Sequence, residues 1–257
     1  MTPIDTRALA SRLQTIESVA LISKATSTNL LGRRIAEECI ENELPFPSAV
    51  VIAREQTEGK GRISRAWFSP KDKGIYATIL HSRSAENLAL LPLEVGVMVA
   101  SFMRETYGLD ARVKWPNDIL VAGKKIAGIL IEAKSHEESV SLMIGIGINV
   151  EALGAEAPEG ATSIADEADP NQAVDLGSAT EAFIEHLDAG LGRKPDSETI
   201  LSEWRGLSTH QKGDRISVCL PSGEVSGTWD GIDEQGRAVV RHGDQVTHVA
   251  AGDLIVL

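Results

Sequence analysis

The sequence is poor in the residues that mark secreted, metal-binding or membrane-spanning proteins. Only two cysteines occur among 257 residues, Cys39 in an amphipathic stretch and Cys219 in a strand-like one. This argues against a disulfide framework or cysteine metal cluster and favours two small hydrophobic residues in a packed interior. No apolar run approaches the roughly 18 residues that cross a bilayer, and no signal peptide is recognisable. We therefore expect a soluble cytoplasmic protein that does not bind a membrane.

Positive charge is also scarce. Twenty-five Lys and Arg stand against 37 Asp and Glu, so the formal net charge is −12 and most of the surface repels nucleic acid. Cations nevertheless concentrate between Arg54 and Lys73, where six basic side chains face three acidic ones around Gly59 and Gly61. This local excess predicts a pocket for a small anion, although a solvated charged loop would have the same composition. We expect no nucleic-acid partner.

Hydrophobic periodicity predicts a mixed α/β arrangement followed by a short all-β segment. Helices are expected at residues 7–18, 30–40, 88–107 (stopped by Gly108) and 180–204. Strands are expected at residues 49–53, 74–80, 111–114, 119–121, 125–131 and 139–148. From residue 213 onward, short strand-like runs separated by turns predict a small barrel-like domain. We place the boundary between residues 1–207 and 208–257.

Two segments place a lysine beside a strand. Lys114 ends a strand and is followed by Trp-Pro-Asn-Asp, so its ammonium could approach a carboxylate or phosphate, although the segment is equally an ordinary turn. Lys125 begins a strand in which Gly128 permits the close approach of a ligand or of another backbone. A hairpin with an exposed lysine explains Lys125 equally well.

Two further segments are rich in glycine. Gly145 and Gly147 alternate along a strand and clear one of its faces, which makes room for a flat ligand. A dinucleotide-binding fingerprint is excluded because Val150 stands where the third glycine is required. In the loop from Glu55 to Trp67, two glycines permit a backbone nest for anions, arginines supply forked donors, and the tryptophan anchors the loop or covers a ligand.

Together these segments resemble the catalytic domain of biotin protein ligases. The family's patterns are Ser-Thr-Asn, Gly-Arg-Gly-Arg followed by Arg and Trp, Lys-Trp-Pro-Asn-Asp, Lys-x-x-Gly-Ile-Leu and Gly-x-Gly-Ile-Asn. Their order and spacing agree here from residue 27 to residue 149, with Lys60 in place of the first of these arginines. The resemblance implies an α+β fold, with a class II synthetase-like mixed sheet carrying helices on one side. A looser likeness near the C-terminus implies a small SH3-like β-barrel.

The resemblance also assigns roles to single residues. It implies that biotin is bound by Ser27, Thr28, Asn29, Gln56, Gly59, Lys60, Gly61, Arg62 and Lys114. It implies that ATP is bound by Arg62, Arg65, Trp67, Lys125 and Asn149. Lys114 would lie against the reacting centre, and Arg62 would hold the adenylate after it forms. Both are therefore expected to be catalytic.

The implied reaction uses biotin, ATP and Mg²⁺, with no metal ligands from the protein. Biotin is converted to biotinyl-5′-adenylate and then joined to a lysine of a biotin carboxyl carrier domain, by a monomer or homodimer. Only 26 residues precede Ser27, so we expect no DNA-binding domain and no repressor activity. Lys60 departs from the family's usual Arg, and residues 151–169 show no aromatic platform for adenine.

Two alternatives remain open at this stage. A lipoate ligase or octanoyltransferase would share the catalytic fold and a lysine near the acyl group. A non-catalytic sensor of biotin or nucleotide would keep the pocket without transferring the acyl group. The Gly-Lys-Gly-Arg loop beginning at Gly59 and the Lys-Trp-Pro-Asn-Asp segment beginning at Lys114 argue against the first. The intact cations in every charged motif argue against the second.

Overall fold

The structure, a computed structural model, contains two β-sheets. It describes residues 2–63, 65–84, 88–136, 139–221 and 223–257. The first sheet has seven strands and the second has five. The second sheet begins only at Arg215, after the last helix.

The seven-stranded sheet is mixed, as expected. Its strands are β1 (Ser18–Ile22), β2 (Ala49–Ala53), β3 (Gly74–Ser84), β4 (Arg112–Lys114), β5 (Asp118–Val121), β6 (Lys124–His136) and β7 (Ser139–Asn149). They lie in the order β1-β2-β3-β7-β6-β5-β4, in which β1 and β2 are parallel and the other neighbours are antiparallel. The six predicted strands are confirmed. The edge strand β1 was missed; unlike the equally short β2, it contains no fully buried residue.

Six α-helices accompany this sheet in the described parts of the chain. They are α1 (Thr6–Ala10), α2 (Thr28–Glu41), α3 (Leu91–Tyr107), α4 (Ile164–Glu167), α5 (Leu176–Arg193) and α6 (Ser197–Leu207), with a 3₁₀ turn at Leu88–Leu90. Gly108 ends α3 at a φ of +67°, as its sequence position predicted. Two predictions were wrong in extent. The first helix ends at Ala10, and residues 180–204 form parts of two helices.

The break between α5 and α6 has a local cause. Lys194 adopts a left-handed conformation with φ +48°, and Pro195 cannot continue the hydrogen-bond ladder of α5. Asp196 then caps α6 by accepting a hydrogen bond from Thr199 N at 2.8 Å. Helical periodicity persists across the break and hid it in the sequence. Within the described ranges, none of the helices has the length and apolar character to cross a bilayer.

The large sheet is covered by helices on both faces, which corrects the expectation that they lie on one side. Ile75, Ala77 and Ile79 of β3 belong to the main core with the buried residues of α3 and α5. The alternate residue Leu80 packs with Ala36 of α2 on the opposite face. Continuous burial along the first seven residues of β3 is the consequence, since neither face of this strand is exposed to solvent there.

The C-terminal sheet is open rather than a closed barrel. Its strands are β8 (Arg215–Leu220), β9 (Gly223–Ile232), β10 (Ala238–His242), β11 (Gln245–Val249) and β12 (Asp253–Val256), all antiparallel in the order β11-β10-β9-β8-β12. No ladder joins β11 to β12 among the described residues, so the barrel expected from the sequence does not close. Hydrophobic side chains such as Ile216, Val218 and Trp229 still form a continuous core with the first sheet's cluster.

A tryptophan and a histidine connect the two sheets. Trp115 follows β4 and is 1% exposed; its indole Nε1 donates to the Gly236 carbonyl at 3.0 Å. The Trp115 backbone N–H donates to His210 Nε2 at 3.1 Å, and the His210 ring lies 4.8 Å from the ring of Trp229. Burial lowers the pKa of His210 to about 4. The junction therefore requires a neutral imidazole.

We predict an acid-sensitive junction. An unfolded histidine titrates near pH 6.5, so between pH 6.5 and pH 4 the unfolded chain binds a proton that the folded chain excludes, and stability falls as the pH drops. Between pH 7 and pH 5 the wild type should lose about 2 kcal/mol more unfolding free energy than His210→Gln, whose amide oxygen still accepts the Trp115 N–H. Urea unfolding at both pH values measures this. Equal losses in the two proteins would contradict it.

Candidate functional site

The motif segments converge on one cleft, on the face of the large sheet that carries α2. The cleft encloses about 710 Å³, including its open mouth. Of the residues expected to bind ligand, those that line it are Ser27, Thr28, Asn29, Gln56, Lys60, Gly61, Arg62, Arg65, Trp67 and Lys125. Gly59, Lys114 and Asn149 do not belong to this described lining.

The floor of the cleft is a hydrogen-bonded chain that begins at Gln56. Its Oε1 accepts from the Thr28 backbone N–H at 2.8 Å and lies 3.2 Å from the Thr28 hydroxyl. Its Nε2 donates to Ser69 Oγ at 3.0 Å, and Ser69 donates in turn to the Trp67 carbonyl at 3.0 Å. The chain ties the start of α2 to the end of the glycine loop.

The hydrogen-bonded floor continues through the side chain of Asn29. Its Oδ1 accepts from Thr78 Oγ1 at 2.7 Å, and its Nδ2 donates to the Leu130 carbonyl at 3.1 Å and to Glu132 Oε2 at 3.0 Å. The side-chain polar atoms of Asn29 are thus bonded to the protein, which makes it a positioning residue. Thr78, Ser69 and Glu132 were missed by sequence reasoning. The signal for Thr78 was a hydroxyl within an otherwise apolar strand.

Ser27 has a different arrangement from its neighbours. It occupies the N-cap of α2, yet its side chain makes no capping hydrogen bond, and it is 2% exposed. Serine at this position ordinarily satisfies one of the first helical N–H groups. A hydroxyl that lines the cleft without capping its helix is placed to bind a ligand.

The glycine loop folds back on itself beside the cleft. The Gly61 N–H donates to the Arg65 carbonyl at 2.7 Å, and the Trp67 N–H donates to the Gly59 carbonyl at 2.8 Å. A Cβ on Gly59 would lie 2.5 Å from the Trp67 carbonyl oxygen, so this close approach requires glycine. The Gly61 N–H, expected to face an anion, is instead used inside the loop. Ser64 lies outside the described residues.

The strand glycines make room for two side chains of the protein itself. A Cβ on Gly147 would lie 2.3 Å from Trp67 Nε1, and one on Gly128 would lie 3.1 Å from Trp67 Cζ3. A Cβ on Gly145 would lie 2.1 Å from Asn29 Oδ1. The strand face that the sequence predicted to be open for a flat ligand is therefore covered by the Trp67 ring. Within the described chain, Trp67 Nε1 is buried without a hydrogen-bond partner.

Cations in the cleft are balanced by carboxylates. Lys125 Nζ lies 2.6 Å from Asp118 Oδ1 and 5.4 Å from the centroid of the Trp67 ring. Arg65 forms an ion pair with Asp253 of the C-terminal sheet. Four cationic and two anionic side chains line the described part of the cleft, so a positive excess remains there for an anionic ligand.

Arg62 is a partly buried cation of the cleft. Its Nη1 donates to Asn117 Oδ1 at 3.0 Å. Burial lowers the pKa of Arg62, and the charges of Asp253 and Asp118 counteract that effect. The positive excess expected between residues 54 and 73 is only partly used here, because Arg54 pairs with Asp72 outside the cleft at 2.6 Å.

A second cavity adjoins the cleft and encloses about 550 Å³. The two share Ala66, Trp67 and Lys125 as a common wall. The remaining lining residues are Phe68, Asn149, Leu153, Pro158, Glu159 and Ala161. Asn149, whose Nδ2 donates to the Thr162 carbonyl at 2.9 Å, belongs to this cavity. An aromatic residue was sought in segment 151–169, whereas the aromatic residues of this described lining are Trp67, which ends the glycine loop, and the adjacent Phe68.

Lys114 lies elsewhere. It ends β4 beside His210, where its charge helps to lower the pKa of the histidine, and it is outside the lining of both cavities. The lysine that the folded chain brings to the common wall is Lys125. Among the described residues, no group of three or more His, Cys, Asp and Glu side chains could hold a metal ion.

Solved structures share this fold over nearly the whole chain. The biotin protein ligase from Aquifex aeolicus in complex with biotin and ATP superposes with a TM-score of 0.70 at 24% identity, covering 93% of this chain and 99% of that one. The biotin protein ligase of Leishmania major in complex with biotinyl-5-AMP gives 0.61 at 23% identity, covering 91% and 98%. The architecture is therefore that of the biotin protein ligases.

Sequence comparisons identify the family. Residues 22–149 match the Biotin/lipoate A/B protein ligase family, and residues 213–257 match the Biotin protein ligase C terminal domain. The chain is 28% identical to the biotin--[acetyl-CoA-carboxylase] ligase of Mycobacterium tuberculosis over 99% of its own length and 96% of that protein. It is 38% identical to the bifunctional ligase/repressor BirA of Bacillus subtilis, over 46% of this chain and 37% of that protein. The chain belongs to the biotin protein ligase family.

The match to the first relatives is partial in extent. The alignments span 37% of the Bacillus subtilis protein and 42% of the bifunctional ligase/repressor BirA of Bacillus spizizenii. The chain thus matches less than half the length of these two relatives.

Replacing Gly147 tests the position of Trp67. In Gly147→Ala the new methyl group would overlap the Trp67 indole, so we expect a loss of about 1–3 kcal/mol in unfolding free energy as the ring is displaced. Gly206→Ala is the matched control, because nothing lies within 4 Å of a Cβ there and alanine favours the helix. Chemical denaturation measures both. If Gly147→Ala is as stable as the control, the Trp67 indole does not lie against Gly147.

Proposed function

We propose that this protein is an ATP-dependent ligase that converts biotin to biotinyl-5′-adenylate and transfers it to a lysine of a biotin carboxyl carrier domain. The observation that carries the proposal is the pair of cavities with a common wall of Ala66, Trp67 and Lys125. A biotinyl-adenylate has two bulky ends joined by a charged phosphate linkage. Two cavities that meet at a lysine match that shape and charge.

Biotin is assigned to the cleft with the polar floor. Its ureido ring has both hydrogen-bond donors and an acceptor, which match hydroxyl and amide side chains. Ser27, Thr28 and Gln56 line this part of the cleft, and Asn29 holds the floor in place through its bonds to Thr78 and Glu132. Ser27 is the strongest candidate for a direct contact because its side chain does not cap α2.

Lys125 and Arg62 are assigned to the reacting centre. The attacking carboxylate and the α-phosphate are both anionic, so cations in a partly buried site are required to bring them together. Lys125 lines both cavities, whereas Lys114 lines neither. We therefore reassign the central role expected of Lys114 to Lys125. Arg62 keeps its expected place beside the phosphate, supported by Asn117.

Adenosine is assigned to the second cavity. Phe68, Leu153 and Ala161 supply apolar surface for a base, and Asn149 supplies an amide. ATP enters as its Mg²⁺ complex, so the metal accompanies the substrate. Arg65 and Lys60 line the cleft where they can contact the phosphates.

The reaction then has two steps. A carboxylate oxygen of biotin bonds to the α-phosphorus while the bond to pyrophosphate breaks. The ε-amine of the carrier lysine next attacks the acyl carbon, the acyl–phosphate bond breaks, AMP leaves, and the amine loses a proton. Positioning and charge stabilisation contribute most of the rate.

A lipoate ligase is the second candidate, since the matched family includes enzymes of both types. The match of residues 213–257 to the biotin protein ligase C-terminal domain favours biotin. The polar floor also favours a ureido ring over a dithiolane, which has no hydrogen-bond donor.

Pyrophosphate exchange tests the proposal. The protein is incubated with ATP, Mg²⁺, radiolabelled pyrophosphate and either biotin or lipoate. We expect biotin to support incorporation of label into ATP, because adenylate formation is reversible, and we expect lipoate not to do so. Exchange with lipoate alone would establish the second candidate, and exchange with neither acid would indicate a non-catalytic sensor.

A pair of lysine variants tests the reacting centre. Lys125→Ala should lower the single-turnover rate of adenylate formation by about 10² to 10³, the usual effect of removing one preorganised charge contact. Lys114→Ala, a loss of the same charge outside both cavities, should stay near the wild-type rate. Thermal unfolding of both variants controls for folding. The opposite ranking would return the central role to Lys114.

A further inference from the structure

A carboxylate from the C-terminal sheet reaches into the phosphate side of the cleft. Asp253 is the first residue of β12, and it lines the cleft together with residues of the large domain. Its Oδ2 forms an ion pair with Nη2 of Arg65. The preceding residue, Gly252, places its carbonyl 3.5 Å from Nη1 of Arg62. Two cations assigned to the phosphates therefore meet the same short segment.

Asp253 is held in place more firmly than its partner. Its backbone is paired with Cys219 of β8. Gly252 enters the strand at a φ of +153°, and a Cβ there would lie 2.5 Å from Val218 Cγ1, so the backbone fits closely against the sheet. The Asp253 side chain is 23% exposed, whereas that of Arg65 is 69% exposed. The Asp253 carboxylate is therefore held in position, whereas the Arg65 side chain is free to change its conformation.

This ion pair conflicts with phosphate binding at Arg65. A guanidinium forked onto a phosphate cannot keep its full interaction with a carboxylate, because both anions use the same N–H donors.

We propose that Asp253 is a displaceable counter-ion for Arg65, which phosphate replaces when a nucleotide binds, and that it thereby sets how tightly the nucleotide is held. The inference rests on the proposed function for the identity of the phosphate ligand. Asp253 is a positioning residue in this scheme. It lowers the affinity for AMP, the product that carries the α-phosphate, and so favours release of AMP after biotin is transferred to the carrier.

The test compares AMP with adenosine, both measured by titration calorimetry in the presence of saturating biotin. AMP cannot react with biotin without an added source of energy, so binding alone is measured. Asp253→Asn removes the charge and keeps the side-chain volume. We expect AMP to bind about 2- to 5-fold more tightly to this variant, the range expected for loss of one partly exposed ion pair. Adenosine, which lacks the phosphate, should bind with unchanged affinity.

Asp230→Asn is the matched control. Asp230 is a carboxylate of the same small sheet that pairs with Arg241 at 2.6 Å and with Lys212 at 2.7 Å, and it does not line the cleft. A general effect of charge or domain stability on AMP binding would appear in this variant too. We expect its affinities for AMP and adenosine to equal those of the wild type.

The double variant separates competition from simple repulsion. With Arg65→Gln as the starting protein, Asp253→Asn should change AMP affinity by less than about twofold, since there is no arginine left to release. Equal effects in the two backgrounds, or tighter binding of adenosine as well as AMP, would overturn the proposal. A wild-type protein that binds no adenine nucleotide would instead remove the proposed function, and this inference with it.

Discussion

The site depends on the close contact of the Trp67 ring with two glycines in neighbouring strands, β6 and β7. The indole lies where side chains at Gly147 and Gly128 would otherwise stand, and Lys125 Nζ lies 5.4 Å from its ring. A side chain larger than hydrogen at either glycine would displace the ring and the glycine loop, which ends at Trp67. One contact therefore separates the two cavities, orients the glycine loop and places the lysine between them.

The polar floor extends this constraint across the cleft. The Trp67 carbonyl accepts from Ser69, Ser69 from Gln56, and Gln56 accepts from Thr28 at the start of α2. Buried polar atoms that are bonded in series specify one arrangement, because breaking a single link leaves an unsatisfied group. Loop and helix are consequently held in register, although they come from different parts of the chain.

Sequence reasoning was strongest where the signal is local and weakest where contacts are long-range. The strands of the large sheet followed from apolar runs and turn residues, and the residues of the cleft followed from short motifs whose order matched a family. The position of Lys114 could not be judged in this way. Two lysines each stand near the end of a strand, and only the pairing of β5 with both β4 and β6 decides which of them reaches the common wall. Phe68 and Asp253 were missed for the same reason, since neither lies in a recognisable motif.

The open C-terminal sheet gives the cleft a composite wall, because Asp253 belongs to one sheet and the other lining residues to the preceding domain. A ligand bound there contacts both parts and so stabilises their association by mass action, by about 2.7 kcal/mol at a concentration one hundred times its dissociation constant. Ligand binding in the cleft and association of the C-terminal sheet with the preceding domain are then thermodynamically linked. A loosely docked C-terminal sheet would appear as weak nucleotide affinity even if every residue contacting the nucleotide were intact.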